Sequence, residues 1–451
     1  MTKYQRAEYK LTLAQLDFWE EFRLHPGEAV STVAHAVELR GAVDADALAR
    51  AITQVVAETD VLSLRFTEGD EGPRQQLDPT RRPELRHLDF SVRPDPMADA
   101  MAMMQADVEA PLDLVNQPLS QQWLIRLGAD RFVWYNRGHH IVLDGYAMGL
   151  METRCAQLYA AHRDGLPTGE PLTSFFAYLT EEGDYRASPR HAKDGQHWTD
   201  ILSAPPAPKV LQKGSEDYPA SPMCHEESLV DLRPSLLARA SELGIGWPDL
   251  LTALCSAWAA LELRDHSAAR VQDSAGRVTM PIWLPYMSRM GSVAIRIPAL
   301  VVNILPFDAS VAATESVAQT VTQLAGRLRK LRRHGRYRIE QIGFDYGLGA
   351  SQRFFFSPLI NVLPFEPARF DGTETQRHVL SNGPGDGFNI TIRGDGEANG
   401  LDLCLEADPV LTPPADFTRH AVTLPAFLRA ALALDAGERP IGALLTQPET
   451  V

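Results

Sequence analysis

The stretch Arg131–Met151, RFVWYNRGHHIVLDGYAMGLM, contains the change of rhythm on which the fold turns. Phe132 to Asn136 is a dense run of aromatic and branched residues of the kind that forms a strand. From Tyr146 the apolar positions Met148, Met151, Cys155, Leu158 and Tyr159 return at steps of three and four, which is a helix face. Between the two stand His139, His140, Asp144 and Gly145, so a pair of histidines lies where a strand ends and an aspartate just before a helix begins. Asp is a favoured N-cap, and capping alone would account for Asp144. Histidine takes up and returns a proton near neutrality, with an ordinary pKa of about 6.5, and a strand-to-helix junction holds it on rigid backbone. Neighbouring residues of a strand point to opposite faces, so at most one of the two can face a given substrate. The competing structural reading is that both simply pack and hydrogen-bond. A metal site through His140 and Asp144 lacks a third ligand at helical spacing, and no metal is expected.

Working outward, Gln122–Leu127 reads as a second strand joined to the first by a hairpin at Gly128-Ala-Asp130. Upstream, Thr12–Arg23 has helical spacing, Val33–Leu39 reads as a strand, and Asp44 caps a helix whose face includes Leu48, Ile52, Val55 and Val56. Leu62–Phe66 is a short strand. Downstream, Pro167, Pro171, Pro189 and the APPAPK segment around Pro205 mark a looser stretch, the expected crossing between lobes. The boundary is placed there, giving domains 1–172 and 173–451. The second half predicts helices at Pro234–Leu243, Pro248–Leu263, Ala312–Arg333 and Asp416–Leu434, and strands at Val278–Trp283, Leu300–Leu305, Phe354–Leu363 and Leu401–Leu405. Interleaved helices and strands in both halves indicate two lobes of α/β (α+β sandwich) class, in keeping with 451 residues where one domain usually takes about 100 to 200.

Composition is that of an ordinary globular protein, 45% apolar and 22% charged. A net charge of -15 argues against nucleic acid as partner, since a phosphate backbone calls for a basic surface. The N-terminus lacks the apolar core of a secretory signal, and the strongly apolar stretch Leu250–Leu263 falls short of the ~20 residues of a membrane span. A cytoplasmic location is expected. Cys155, Cys224, Cys255 and Cys404 form no C-x-x-C pair and read as buried thiols in a reducing compartment. No G-x-S-x-G elbow, phosphate loop or H-E-x-x-H motif is present, and SNGPGDG (Ser381–Gly387) reads as a turn. The basic run Arg327–Arg338, RLRKLRRHGRYR, is either a solvated helix end or, through Arg332 and Arg333, a contact for an acidic partner or a phosphate.

As a set, His139-His140-Ile-Val-Leu-Asp144-Gly145 matches HHxxxDG, and the chain resembles the condensation domains of nonribosomal peptide synthetases, within the chloramphenicol acetyltransferase-like superfamily. The likeness extends in order along nearly the whole chain: LTLAQLDFW (Leu11–Trp19), ETDVLSLRF (Glu58–Phe66), IPALVVNILPF (Ile297–Phe307) and HGRYRIEQIGFDYG (His334–Gly347) look like further family motifs. At Glu58-Thr59-Asp60 the sequence departs from the usual Arg-His-Glu. The resemblance is strongest to members that build catechol siderophores. It implies two acetyltransferase-like lobes in a V-shaped pseudo-dimer with a tunnel between them. It implies His140 at the reacting centre, as base or as positioner of the amine, with His139 structural. It also implies Asp144 paired with Arg289, Gly145 leaving room for a pantetheine arm, and Asn303 and Asn361 lining the substrate tunnel.

The implied activity is amide formation by transfer of an aryl or acyl group, such as 2,3-dihydroxybenzoyl, from a carrier-protein phosphopantetheine thioester to a polyamine or amino acid. No intrinsic cofactor is expected, because the phosphopantetheine arrives on an acyl (aryl) carrier protein and nothing here resembles a carrier or adenylation segment. The rivals are an acyltransferase of the same superfamily that uses coenzyme A and a non-catalytic carrier-docking module. Docking relatives typically lose the second histidine or the glycine, and both are present here.

Overall fold

The computed structural model describes residues 7–215, 222–263, 269–383, 385 and 387–445. The chain divides into two compact units, one of Met1–Ser188, Met287–Val302 and Pro367–Pro384, the other of Pro189–Tyr286, Asn303–Glu366 and Gly385–Val451. The division falls at Ser188/Pro189 and not at 172/173, and two later segments rejoin the first unit. The Pro-rich stretch expected to form the crossing is largely helical, with Phe175–Arg186 and Pro189–Leu202 both forming helices.

In chain order the first unit contains β1 (Glu8–Lys10), α1 (Leu13–Leu24), β2 (Thr32–Gly41), α2 (Ala45–Glu58), β3 (Leu64–Thr67), β4 (Arg74–Leu77), β5 (Leu85–Asp89), α3 (Pro96–Val108), β6 (Ser120–Gly128), β7 (Arg131–His139), α4 (Gly145–Asp164) and α5 (Phe175–Arg186). The second contains α6 (Pro189–Leu202), β8 (Val210–Gln212), β9 (Met223–Ser228), α7 (Arg233–Leu243), α8 (Trp247–Glu262), β10 (Val271–Gln272), β11 (Arg277–Tyr286), β12 (Asn303–Ala312), α9 (Val317–Arg332), α10 (Ile339–Asp345), β13 (Gln352–Phe354) and β14 (Leu359–Pro364). β15 (Thr373–Asn382) returns to the first unit, and β16 (Phe388–Gly394), β17 (Asp402–Ala407) and α11 (Pro414–Leu432) belong to the second.

The main sheet of the first unit has the order β15-β2-β7-β6-β5, antiparallel except where β5 meets β6. Strand alternation sends Val33, Val37, Phe132 and Trp134 into a core with Ile52 and Val55 of α2 and Met148 and Met151 of α4. The intervening Ala34, Ala36, Val133 and Tyr135 enter another core with Ala100 and Met104 of α3. With both faces covered, β7 is buried without alternation from Phe132 to His139, and its first half, Phe132–Tyr135, is a continuous apolar run. The β6–β7 hairpin closes with Gly128 opposite Arg131, as the sequence suggests.

The second unit carries a seven-stranded sheet, β10-β11-β14-β16-β17-β9 with β12 beside β11. Leu254 and Trp258 of α8, Leu324 and Leu328 of α9, and Leu424 and Phe427 of α11 pack with Ile282, Ile390, Ile392 and Leu405. Helix α8 is buried from Leu250 through Leu261, which is why it is apolar on every side. α9 begins only at Val317, because Ser316 forms a capping box with Gln319 and the residues before it extend β12. Phe354–Leu363 is two strands, β13 and β14. Of the four cysteines, Cys155, Cys255 and Cys404 are buried, but Cys224 is exposed. No described helix is long and apolar enough to cross a membrane.

Candidate functional site

β7 carries the histidines to the head of α4. A Cβ at Gly138 would stand 2.7 Å from Leu143 Cδ1, so the absence of a side chain there lets the following turn fold back closely. His139 is buried; its N–H donates to the Leu119 carbonyl at 3.1 Å, and its Nδ1 accepts from the Ile141 N–H at 3.0 Å. Burial, then the neighbouring His140 and Arg137, lowers its pKa to about 3. His139 is thus a neutral, packed residue.

His140 is only partly buried. Its N–H donates to the carbonyl of Ser31 at 2.7 Å, and its ring stacks on Phe18 of α1 at 4.7 Å and 13°. Nδ1 is shielded from water and has no hydrogen-bond partner among the described residues. Burial lowers the His140 pKa against the opposing pull of the Asp144 carboxylate, so the imidazole is neutral at pH 7 and can accept a proton. Gly383, at the end of β15, closes in on the same ring: a Cβ there would lie 2.5 Å from Cδ2 and 3.2 Å from Nε2. Its φ of 97° is one that glycine adopts without strain. In the expected SNGPGDG turn, Gly387 also has positive φ, while Pro384 and Asp386 lie outside the described residues. Motif matching singles out neither Phe18 nor Gly383 as a neighbour of His140, although Phe18 falls in LTLAQLDFW and Gly383 in the glycine-rich turn.

Asp144 is the N-cap of α4, accepting the Ala147 N–H at 2.9 Å. It also forms a bidentate pair with Arg289, at 2.9 and 3.1 Å, and accepts the N–H groups of Val301 and Val302, both at 2.9 Å. Both partners are dry, the Asp144 side chain 2% exposed and that of Arg289 0%. Burial raises the Asp144 pKa, but the Arg289 guanidinium and these hydrogen bonds outweigh it and the net shift is downward. Arg289 further donates to the Ala299 carbonyl at 2.6 Å and lies over the Tyr146 ring at 4.6 Å. Using the amides of 301 and 302 for Asp144 explains why the strand expected from Leu300 starts only at Asn303. With its oxygens committed, Asp144 acts on His140 through its field alone. α4 is further pinned by Glu152, which meets His35 Nδ1 of β2 at 2.5 Å and Arg377 of β15 at 3.3 Å. Gly145 opens α4, is exposed, and a Cβ there would meet nothing within 4 Å.

The remaining candidates belong to the second unit. Asn303, expected along the tunnel, donates to the carbonyls of Gly335 and Tyr337 and accepts from the N–H groups of Ile304 and Ile339, at 2.8 to 3.0 Å. Fully satisfied and buried, it fastens the 335–339 loop. Asn361 is partly exposed on β14, opposite Thr391. Arg332 is paired with Asp249 at 2.8 and 2.5 Å and so is no free cation, whereas Arg333 is exposed at the end of α9.

Mixed α/β units, with a central strand that delivers two adjacent histidines to the turn before a capped helix, define a chloramphenicol acetyltransferase-like fold. Within that class the chain belongs to the condensation-domain family, whose profile matches residues 5–384. It is 33% identical over 448 residues to isonitrile lipopeptide synthase of Streptomyces coeruleorubidus, covering 97% of this chain and 29% of that protein. It is 31% identical over 397 residues to enterobactin synthase component F of Escherichia coli (strain K12), covering 85% of this chain and 29% of the relative. The crystal structure of VibH, a nonribosomal peptide synthetase condensation enzyme, superposes with a TM-score of 0.84 at 32% identity, covering 97% of this chain and 100% of VibH. The chain therefore spans less than a third of these two synthases while matching the full length of VibH.

Proposed function

We propose that this protein forms an amide by transferring an aryl group, of the 2,3-dihydroxybenzoyl kind, from a carrier-bound phosphopantetheine thioester to an amine, in the assembly of a catechol siderophore. The observation that carries this conclusion is His140: a neutral imidazole, partly exposed and clamped on Phe18, in a loop held by the buried Asp144–Arg289 pair. A thioester is already activated, so the step requires an unprotonated amine, alignment and stabilisation of the oxyanion. The amine nitrogen attacks the carbonyl carbon, the C–N bond forms and the C–S bond breaks. His140 takes the proton lost by nitrogen and returns it to the departing pantetheine sulfur, or holds the amine in line. His139 and the Asp144–Arg289 pair hold the loop, and the open space at Gly145 suits a slender thioester arm. Arg333 offers a cation to an acidic carrier protein. Likeness to enterobactin synthase component F and to VibH supports a carrier-delivered acyl group and a siderophore product.

The test is intact-mass analysis of products from a panel of aryl- and alkyl-loaded carrier proteins, and of acyl-coenzyme A, with polyamines and aminoacyl carriers as acceptors. The expected result is amide from an aryl carrier with the wild-type chain and a greatly reduced amount with His140→Ala. Product from acyl-coenzyme A alone, or carrier binding without turnover, overturns the proposal.

A further inference from the structure

Two short dyads, Cys224-His-Glu226 on β9 and Cys404-Leu-Glu406 on β17, lie on neighbouring antiparallel strands of the second unit. The register sets Cys224 opposite Glu406 and Glu226 opposite Cys404. Residues two apart share a face, so all four side chains stand on one side of the sheet, and Leu403 and Leu405 enter the core from the other. Ligand atoms of Cys224, Glu226 and Cys404 lie within 4.8 Å of one another, the one such trio among the described residues. Cys224 and Glu226 are exposed and Cys404 is buried, so the group opens to solvent along edge strand β9.

We propose that Cys224, Cys404 and Glu226 bind a thiophilic divalent cation such as Zn²⁺, with Glu406 or water as the fourth ligand. Metal–sulfur bonds of about 2.3 Å and metal–oxygen bonds of about 2.1 Å in a tetrahedron put the sulfurs about 3.8 Å apart, and sulfur and oxygen about 3.6 Å apart. With every pair already within 4.8 Å, the trio reaches that geometry by contracting at most about an ångström. Register argues against a disulfide as the use of the two thiols. Cys224 and Cys404 are diagonal neighbours, a relation that typically sets Cβ atoms about 6 to 7 Å apart, whereas a disulfide needs about 3.8 Å. Binding releases the two thiol protons. With water as the fourth ligand, two thiolates, one carboxylate and Zn²⁺ leave a single negative charge, which the field of Arg393 on β16 offsets. Paired thiolates favour Zn²⁺, Co²⁺ or Cd²⁺ over Mg²⁺ and Ca²⁺.

The experiment titrates the full chain, reduced and stripped of metal by chelator, with Co²⁺ while the thiolate-to-cobalt charge-transfer band is followed, and then displaces the cobalt with Zn²⁺. One equivalent binding with tetrahedral band intensity is expected, together with a higher melting temperature in Zn²⁺. Both are lost in Cys224→Ser, a change at an exposed position, and affinity falls by about tenfold or more in Glu226→Gln. Cys155 and Cys255 remain in the variant, so a band that persists in Cys224→Ser arises elsewhere and overturns the proposal. Absence of the band in the reduced wild-type chain overturns it equally, as does loss of two free thiols on mild oxidation in a chain that takes up no metal.

Discussion

Asp144→Ala removes one carboxylate and five hydrogen bonds: two from Arg289 and one each from Ala147, Val301 and Val302. The Arg289 guanidinium, fully buried, is left without its counter-charge, at a cost of about 3 to 5 kcal/mol. The three orphaned N–H groups each lose about 1 kcal/mol, and the cap of α4 is among them. These contributions share partners and do not simply add, so a net loss of about 4 to 6 kcal/mol is expected. Against a total stability of about 5 to 15 kcal/mol this is severe, and at about 2 to 4 °C per kcal/mol the melting temperature falls by roughly 10 to 20 °C. Thermal melts followed by circular dichroism, with soluble yield and the rate per folded molecule, measure it. The double variant Asp144→Leu, Arg289→Met leaves no buried charge and recovers more than half of the loss. A melting temperature within about 2 °C of wild type, combined with lost turnover, would refute the reasoning and move Asp144 into the chemistry.

Gly383→Ala sets a methyl group against the His140 ring at a backbone φ of 97°, and is expected to cut turnover at least about tenfold with a smaller effect on melting. An unchanged rate would show that Gly383 does not shape the position of the ring. His139 has its pKa lowered from 6.5 to about 3, so the unfolded chain takes up a proton below 6.5 while the native one does not. Its contribution is full above 6.5 and is lost as pH falls toward 3, at about 1.4 kcal/mol per pH unit. Urea denaturation from pH 7 to 5 should therefore show a shallower decline in His139→Asn than in wild type, and equal slopes would contradict the assignment. Arg333→Glu should raise the apparent KM for the carrier most strongly at low salt while leaving melting unchanged, whereas Arg332→Glu lowers the melting temperature because it repels Asp249. The reverse pattern would show that the pairing of Arg332 is not maintained in solution.

The β7–α4 junction is legible in the sequence because two periodicities meet there, and the cap signal at Asp144 sits where they meet. The core faces of α2 and α8 are legible for the same reason. β15 carries no comparable signal. It pairs with β2 across more than three hundred residues, with His378 meeting Glu38, and its mostly polar, half-buried residues show little alternation. The approach of Gly383 to His140 depends on that pairing and is invisible locally. Arg289 is named by family resemblance, and only the fold shows the three N–H groups that share Asp144 with it and the Ala299 carbonyl to which it also donates. Asn303 is a candidate through the resemblance of its motif, and Arg332 through the basic run in which it stands. Hydrogen bonds formed after folding commit Asn303 to the 335–339 loop and Arg332 to Asp249. Cys224 reads as buried beside its three companions, yet it lies on an edge strand, and edge position is a property of the sheet.

The most direct measurement is the single-turnover rate of amide formation from a loaded aryl carrier and saturating amine, for wild type and His140→Ala, with melting temperatures taken on the same samples. A fall of about 10² to 10⁴-fold at an unchanged melting temperature is predicted if His140 moves the proton or holds the amine. A rate within about twofold of wild type would contradict a role for His140 at the reacting centre.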